Sequence, residues 1–416
     1  MNKFKIVGGT RLAGELRVSG AKNSVLPIIA ACLLTEKKVI LHDFPLIEDA
    51  INMLSILQTL GCKHKMEGST IELDTSGANN WEMPERLSKE LRSSIFMLGP
   101  VIARFKKAKF TYPGGCEIGN RPIDLHLKGL RELNIDIKEE HGFIICDGKD
   151  MKGADIHLDY PSVGATENIM LAAVKAKGRT IINNAAREPE IVDLQNLLNK
   201  MGADVKGAGT SEIIVEGKEI LNGAEHKLIS DRIVAGTYMV AAAITQGELL
   251  IKNVQTKDLT AAIDKLKECG CKIKEYGEDI FIKGPKRPRE MKMIETLPHP
   301  GFATDMQAQF FALCTIANGT SVIVENVFES RFKHAIELNS MGADVRIKDR
   351  MAIIRGVEKL SGANVLARDL RGGAALVLAG MRAGGETIVD NINFIDRGYQ
   401  RLDEALCAVG ANIKRV

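Results

Sequence analysis

The sequence predicts an α/β protein with two domains, each made from three copies of one structural unit. A short phrase built around a glycine or an asparagine recurs six times, and its central residues are 61, 134, 202, 270, 342 and 410. The spacings run from 68 to 73 residues, and such a regular period is typical of a repeated structural unit. The length of 416 residues points the same way, because single cores rarely grow past about 250–300 residues.

Each unit has the same internal order. An apolar, alanine-rich helix comes first, as in residues 24–34, and a short β-branched strand follows, as in residues 180–182. A second helix leads to the recurring glycine, which suits a helix C-cap, and a strand pair such as residues 204–217 completes the unit. The predicted order is therefore strand, helix, strand, helix, strand, strand, or a circular shift of it. The first helix is nearly all apolar, so we expect it to be buried from several sides.

Residues 4–18 have the pattern of the hairpins that close a unit, yet they precede the first unit. We expect this hairpin to complete the second domain. The predicted domains are then residues 20–229 and residues 1–19 plus 230–416, with the chain crossing between them near 19–22 and 227–230. Two crossing strands form the kind of hinge that closure around a ligand needs.

The composition is that of an ordinary globular protein, with 26% charged residues and a formal net charge of +3. This balance, together with only 5% aromatic residues, argues against nucleic acid as a partner. The sequence shows no apolar run of the roughly 20 residues that a membrane span needs, and no signal peptide. We expect a cytoplasmic protein without a membrane span.

Eight cysteines occur, and without an export signal we expect reduced thiols rather than disulfides. Cys269 and Cys271 flank a single glycine, whereas zinc sites favour pairs with two intervening residues. No histidine pair accompanies them. The sequence therefore predicts no metal site.

Residues 112–122 form a glycine- and proline-rich stretch that predicts a loop. Cys116 lies at its tip, and Arg121 lies where a helix should begin. A thiol on a loop beside a cation is the setting of a reactive cysteine. The alternative, that Cys116 is a small buried hydrophobe, stays open on the loop alone.

Cations recur at the predicted helix starts. Helix N-termini carry partial positive charge and favour anions, so added cations are costly unless an anionic ligand arrives. The ordinary alternatives are helix caps and solubilising surface charge. The cations are Lys22, Arg92, Arg121, Arg331, Arg371 and Arg397. Asp305 stands among them either as a cap or as a carboxylate able to accept a proton.

Six motifs make the sequence resemble a known family. They lie at residues 19–23, 113–122, 161–166, 305–309, 369–373 and 395–399. Together with the six units they are similar, over residues 5–413, to the UDP-N-acetylglucosamine 1-carboxyvinyltransferase branch of the enolpyruvyl transferases. The resemblance implies a two-domain inside-out α/β barrel of six βαβαββ repeats, with the active site in the interdomain cleft.

By the same resemblance, the protein is a transferase of peptidoglycan synthesis, and hence of cell wall biogenesis, cell shape, cell cycle and cell division. It would move the enolpyruvyl group of phosphoenolpyruvate to the 3-hydroxyl of UDP-N-acetylglucosamine through a tetrahedral intermediate, without a cofactor. Fosfomycin is the implied covalent inhibitor at Cys116.

The implied site residues fall into two groups. The catalytic group is Cys116 as proton donor, Asp305 beside the sugar hydroxyl, and Lys22 and Arg397 on phosphoenolpyruvate. The substrate-binding group adds Asn23, Arg92, Arg121, Pro122, Ile123, Asp124, Leu125, Ser162, Val163, Gly164, Val327, Arg331, Asp369 and Arg371.

Two alternatives remain. The shikimate-pathway relative, 5-enolpyruvylshikimate-3-phosphate synthase, shares the implied fold and reaction but leaves Cys116 and its loop without a task. A weakly catalytic paralogue that binds the nucleotide sugar and regulates the pathway is the other.

Overall fold

The structure is a computed structural model that describes residues 2–90, 92–112 and 123–416, without the side chains of residues 90 and 92. Cys116, Arg121 and Pro122 therefore lie outside the described residues.

The described strands number twenty-three. In chain order they are β1 (Lys3–Val7), β2 (Ala13–Arg17), β3 (Val39–His42), β4 (Lys63–Glu67), β5 (Thr70–Asp74), β6 (Lys107–Thr111), β7 (Asp136–Glu140), β8 (Phe143–Asp147), β9 (Asp155–His157), β10 (Arg179–Asn183), β11 (Asp204–Lys206), β12 (Glu212–Glu216), β13 (Ala224–Lys227), β14 (Glu248–Lys252), β15 (Lys272–Tyr276), β16 (Asp279–Lys283), β17 (Met293–Glu295), β18 (Thr320–Val324), β19 (Asp344–Lys348), β20 (Met351–Arg355), β21 (Asn364–Leu366), β22 (Glu386–Asp390) and β23 (Asn412–Arg415).

The described α-helices number fourteen. They are α1 (Lys22–Cys32), α2 (Glu48–Thr59), α3 (Glu85–Glu90), α4 (Leu98–Phe105), α5 (Asp124–Glu132), α6 (Val163–Ala173), α7 (Pro189–Lys200), α8 (Arg232–Ile244), α9 (Thr260–Glu268), α10 (Gln307–Cys314), α11 (His334–Ser340), α12 (Leu370–Arg382), α13 (Asn393–Asp396) and α14 (Leu402–Ala408). Short 3₁₀ helices at Arg92–Met97, Thr256–Leu259 and Thr304–Met306 lead into α4, α9 and α10.

The strands form six small sheets, one for each predicted repeat. Five have four strands, and the sheet of β6, β8 and β7 has three. In the sheet β11-β12-β10-β9, β9 lies parallel to β10 while β12 pairs antiparallel with both β10 and β11. The α/β fold class and the sixfold repeat predicted from the sequence are confirmed, although the second repeat has only three of the four predicted strands among the described residues.

The described chain separates into two compact units, one made of residues 20–112 and 123–229 and the other of residues 2–19 and 230–416. In the first unit α1, α4 and α6 are largely buried, and α6 contacts both α1 and α4. In the second unit α8, α10 and α12 contact one another in the same way. Each unit thus has its own core of apolar helices, as expected from their composition.

The predicted hairpin of residues 4–18 is wrong in one respect, because β1 and β2 do not pair with each other. β1 lies between β22 and β23 and takes the place of the last strand of the sixth repeat. β2 lies parallel to β14 in the fourth repeat, while β13 lies parallel to β3 in the first. Each crossing strand therefore pairs within the unit that the chain is leaving.

The recurring glycines end the second helix of their repeats in a left-handed conformation, as predicted. Gly61, Gly202, Gly270, Gly342 and Gly410 have φ between 90° and 105°, and Asn134 takes the same place with φ 62°. In the first repeat, Gly61 N–H donates to Gln58 O and Cys62 N–H donates to Leu57 O, both at 3.0 Å. These two hydrogen bonds form the Schellman motif, in which a glycine can take a positive φ without strain.

Among the described residues, none of the helices is both long and apolar enough to cross a membrane.

Candidate active site

Asp305 lies between two guanidinium groups in the second unit. Arg331 Nη2 donates to Asp305 Oδ1 at 2.7 Å, and Arg371 Nη2 donates to Asp305 Oδ2 at 3.1 Å. Both arginines are almost fully buried, whereas a quarter of the Asp305 side chain (25%) is exposed. Charge-assisted bonds of this kind are strong and directional. The carboxylate is fixed in orientation and still reachable from solvent.

The capping alternative for Asp305 is wrong. The 3₁₀ helix Thr304–Met306 begins after Ala303, and within the described part of the chain no side chain caps it. Instead, Thr304 Oγ1 donates to the Glu325 carboxylate and accepts from Arg331 Nη1 at 2.9 Å. The Asp305 turn is therefore held by buried polar contacts.

Glu325 is a positioning residue that the sequence did not point to. Its Oε1 accepts from the backbone N–H groups of Val327 and Phe328 at 2.9 and 3.1 Å, and from Thr296 Oγ1 at 2.8 Å. One buried carboxylate thus ties the loop carrying Val327 to the turn carrying Asp305. An acid after a β-branched strand is the only sequence signal, and it names no partner.

Arg371 is enclosed on its other side by Tyr399, whose ring lies 5.4 Å from the guanidinium carbon. Burial by itself lowers the pKa of Arg371, but the charges of Asp305 and Asp231 and the Tyr399 phenol outweigh it, so the pKa is raised above its ordinary value. Gln309 Nε2 donates to Tyr399 Oη at 3.1 Å and to Asp305 O at 3.0 Å. The positive charge of Arg371 is therefore secure at any physiological pH.

Asp369 caps α12. Its Oδ1 accepts from the N–H groups of Arg371 and Gly372, both at 2.9 Å. His334 is buried behind this turn, and neither ring nitrogen has a hydrogen-bond partner among the described residues. Burial lowers the pKa of His334 to about 4, with Asp369 opposing and Arg331 reinforcing the shift. For Asp369 the ordinary capping interpretation holds, and the cap fixes the backbone of Arg371.

Arg397 was expected at the start of a helix, and that expectation is wrong. It follows α13 as its C-cap and precedes the turn that carries Tyr399. Its side chain is half-buried. A four-residue helix between two turns leaves too weak a pattern for the sequence to place.

In the first unit, Lys22 opens α1 and Nζ lies 3.1 Å from Asp49 Oδ2, near the start of α2. The lysine side chain is 14% exposed and the aspartate is buried. Asn23 follows on the same turn and is half-buried. Two predicted helix starts of this unit thus meet through an ion pair.

Ser162 caps α6 by accepting from Ala165 N–H at 3.4 Å. A Cβ added at Gly164 would come within 3.1 Å of the His126 ring, so glycine allows α5 and α6 to approach closely. His126 Nδ1 lies 3.1 Å from Asn168 Nδ2, and Asn168 Oδ1 accepts from Gly99 N–H at 2.7 Å. Val163 opens α6 and is half-buried.

Ile123, Asp124 and Leu125 form the start of α5, with Ile123 buried, Asp124 exposed and Leu125 half-buried. Arg92 opens the 3₁₀ helix that leads into α4. The predicted residues Cys116, Arg121 and Pro122 lie outside the described chain, so the loop prediction stays a prediction.

The structure therefore brings the predicted residues together in two clusters. In the second unit, Asp305, Arg331 and Arg371 are in direct contact, with Asp369 on the backbone beside them. In the first unit, Lys22 is paired and the segments around Ile123 and Ser162 meet through α5 and α6. Across the described ranges, no group of three or more His, Cys, Asp or Glu residues could hold a metal ion.

Comparison with known proteins adds three findings. A sequence model of the family described as EPSP synthase (3-phosphoshikimate 1-carboxyvinyltransferase) matches residues 6–406. UDP-N-acetylglucosamine 1-carboxyvinyltransferase 2 of Caldanaerobacter subterraneus subsp. tengcongensis is 52% identical over 416 residues, which is 100% of both chains. UDP-N-acetylglucosamine 1-carboxyvinyltransferase 1 of Carboxydothermus hydrogenoformans is 53% identical over 416 residues, covering 100% of this chain and 99% of that one.

Solved structures agree on the fold. The enolpyruvyl transferase NikO from Streptomyces tendae superimposes with a TM-score of 0.90 at 23% identity, covering 100% of this chain and 99% of that one. An EPSP synthase from Acinetobacter baumannii gives a TM-score of 0.76 at 20% identity, with the same coverage. With two full-length relatives above half identity, the chain belongs to the UDP-N-acetylglucosamine 1-carboxyvinyltransferases, a group of transferases within the EPSP synthase family.

Proposed function

We propose that the protein transfers the enolpyruvyl group of phosphoenolpyruvate to the 3-hydroxyl of UDP-N-acetylglucosamine and releases phosphate. The observation that carries the proposal is a carboxylate held by two buried arginines, Asp305 with Arg331 and Arg371, in a chain whose full-length relatives bear that enzyme's name. We place this reaction in the cytoplasm, at the first committed step of peptidoglycan synthesis.

The chemistry proceeds by addition and elimination. A proton adds to the methylene carbon of phosphoenolpyruvate while the sugar oxygen bonds to the adjacent carbon and gives up its own proton. The tetrahedral intermediate then loses phosphate as a proton leaves the methyl group, which restores the double bond. Acid–base groups and fixed cations suffice for these steps.

In the second unit, Asp305 is the proposed base for the sugar hydroxyl. Its partial exposure leaves room for a substrate, and its two guanidinium partners fix the direction of the carboxylate. Arg331 and Arg371 supply fixed positive charge where the substrates bring phosphate and carboxylate groups. Val327, on the loop tied by Glu325, is proposed to line the nucleotide-sugar site, and Arg397 to bind phosphoenolpyruvate.

In the first unit, Lys22 is the proposed second cation for phosphoenolpyruvate. Asp49 holds it at the start of α1, where the partial positive charge of the helix adds to its own. We propose that Asn23, the start of α5 and residues 162–164 bind the nucleotide sugar. Cys116 as proton donor, with Arg92, Arg121 and Pro122 as further substrate contacts, completes the proposal.

Phosphate release from phosphoenolpyruvate tests the function, with UDP-N-acetylglucosamine or shikimate 3-phosphate as acceptor. We expect release only with the nucleotide sugar. Release with shikimate 3-phosphate would instead assign the protein the activity of 5-enolpyruvylshikimate-3-phosphate synthase. Tight binding of the nucleotide sugar without turnover would leave only a regulatory role.

Fosfomycin tests the role of Cys116 separately. We expect covalent labelling of the wild-type protein and none of Cys116→Asp, with intact mass as the readout. A labelled adduct in that variant would refute the assignment of Cys116.

A further inference from the structure

Two cysteines in the second unit lie in sulfur–sulfur contact, far along the chain from the loop of Cys116. Cys269 is the last residue before the left-handed Gly270 at the end of α9, and Cys271 follows that glycine. Their Sγ atoms are 3.8 Å apart. Cys269 is completely buried, whereas 7% of Cys271 is exposed.

The turn itself fixes this proximity. Gly270 N–H donates to Lys267 O at 3.0 Å and Cys271 N–H donates to Leu266 O at 2.9 Å. The left-handed glycine reverses the chain between the two cysteines, and a separation of two residues keeps their Cα atoms within the roughly 7 Å that a disulfide spans. The sulfurs must approach to about 2.05 Å to form the bond, which is a movement of less than 2 Å by side-chain rotation.

We propose that Cys269 and Cys271 form a redox-active dithiol that a peroxide closes to a reversible disulfide. A thiolate of the pair attacks the peroxide, the O–O bond breaks, and one water leaves with an added proton. The other thiol then attacks the resulting sulfenic acid, the S–O bond breaks, and a second water leaves. The two thiols lose two electrons, and the peroxide gains them.

The surroundings favour the first step. The Cys271 thiol, as hydrogen-bond donor, lowers the pKa of Cys269 against the opposing effects of burial and of the Glu268 charge, and Arg289 adds to the lowering. Cys271 directly precedes β15, an edge strand with mostly exposed side chains, and we expect peroxide to reach the pair where this strand opens. Edge strands open locally more readily than the core.

The surroundings also favour reversibility. A disulfide that closes so short a loop constrains the unfolded chain little. We therefore expect it to be easily reduced, as labile disulfides are.

The repeat provides a matched control inside the same chain. Leu60, Gly61 and Cys62 form the same turn with the same two backbone hydrogen bonds, but a leucine stands in place of the first cysteine. Cys62 is 6% exposed, nearly as much as Cys271, and burial raises its pKa to about 11. Because the turn is the same in both repeats, faster oxidation of the pair than of Cys62 cannot be attributed to the turn.

The test exposes the reduced, folded protein to hydrogen peroxide. Samples are quenched in acid, alkylated in denaturant and mapped by mass spectrometry. The tryptic peptide 268–272 contains both sulfurs of the pair and no other. We expect the mass of this peptide to fall by two hydrogen atoms, as a disulfide forms, at a rate at least about tenfold higher than the oxidation of Cys62. Dithiothreitol should restore the original mass.

Two substitutions remove one thiol each and introduce residues that stand at the equivalent positions of other repeats. Cys269→Met copies Met201 and Met341, and Cys271→Ala copies Ala203 and Ala343. In either variant the fast two-hydrogen loss should vanish. Oxidation no faster than that of Cys62, irreversible sulfinic acid in place of the disulfide, or a cross-link from Cys269 to the neighbouring Cys314 would each overturn the proposal.

Discussion

Asp305 lies in surroundings unlike those of an ordinary surface carboxylate. Its two partners, Arg331 and Arg371, are buried, and removing one member of such a set leaves uncompensated charge behind. A role in catalysis and a role in stability therefore coincide in one side chain. Kinetic and unfolding measurements on the same variant are needed to separate them.

For Asp305→Asn we expect kcat to fall about 10²- to 10⁴-fold, the usual contribution of a general base, with a stability loss of about 2 kcal/mol. Steady-state phosphate release and urea unfolding measure the two effects. Thr304→Val is the control, since it removes a support of Arg331 but leaves the carboxylate. A variant that keeps kcat within tenfold while losing stability would make Asp305 purely structural.

His334 makes stability depend on pH. Its pKa is about 4 in the folded protein against the ordinary 6.5, so between these values the unfolded chain binds a proton that the folded chain does not. The contribution of the neutral ring is complete above pH 6.5 and is lost as the pH falls towards 4, by about 3 kcal/mol in all.

Leucine is similar in volume to histidine. Between pH 7 and pH 4 we expect the free energy of unfolding of His334→Leu to fall by about 3 kcal/mol less than that of the wild-type protein. Urea unfolding at several pH values measures the slope, and the exposed His157→Gln is the control. An unchanged slope would mean that His334 titrates normally.

Several site residues could be predicted because their motifs are contiguous, as with Asp305 and Asp369. Glu325 could not, since its contact with Thr304 bridges 21 residues between a strand end and a helix start. Nothing local distinguishes Glu325 from other acids that follow a strand. Long-range polar contacts of this kind become visible only in the folded chain.

The recurring helix end is the element that the sequence identified best. A glycine with positive φ is required by the turn, and the same requirement in six places produced the period from which the fold class was inferred. Asn134 shows how far the requirement extends, because asparagine tolerates the left-handed region better than other residues with a Cβ.

Gly342 allows this turn to be tested without steric complication, since a Cβ there meets no atom within 4 Å. We expect Gly342→Ala to lower the free energy of unfolding by about 1 kcal/mol through backbone strain alone. Gly342→Asn should cost about half as much, by analogy with Asn134. The urea unfolding midpoints of the two variants measure the difference. Equal losses of stability in both variants would contradict an explanation by backbone strain.

On the scale of the whole molecule, the partner of each crossing strand was beyond sequence analysis. β2 and β13 each precede the first helix of a repeat. Each strand nevertheless pairs with a strand of one unit, while the helix that follows it belongs to the other unit. The pairing of Leu16 with Ile251 spans most of the chain, and the composition of a short strand does not encode so distant a partner. The sequence predicted that residues 1–19 belong with residues 230–416, and it predicted the α/β repeats because they are local, but it did not predict the partner strand of β2 or β13.

The two units should differ when each is expressed alone. Residues 20–229 contain all the strands of their three sheets, so we expect this fragment to fold cooperatively. Residues 230–416 lack β1, an inner strand between β22 and β23, and should not fold until residues 2–19 are supplied. Circular dichroism and thermal unfolding of both fragments, with and without that peptide, provide the test. A stable 230–416 fragment would show that β1 is dispensable.

Lys3 and Val416 exchange both of their backbone hydrogen bonds, at 3.2 and 2.9 Å. Residue 416 can therefore be joined to residue 2 by a short linker without disturbing the sheet that contains them. Opening the same chain between Ser19 and Gly20 would produce a circular permutant in which each unit is one uninterrupted segment. Such a chain would pass from one unit to the other only once, at residues 229–230. It would reduce the two passages of the chain between the units to one while leaving every sheet intact.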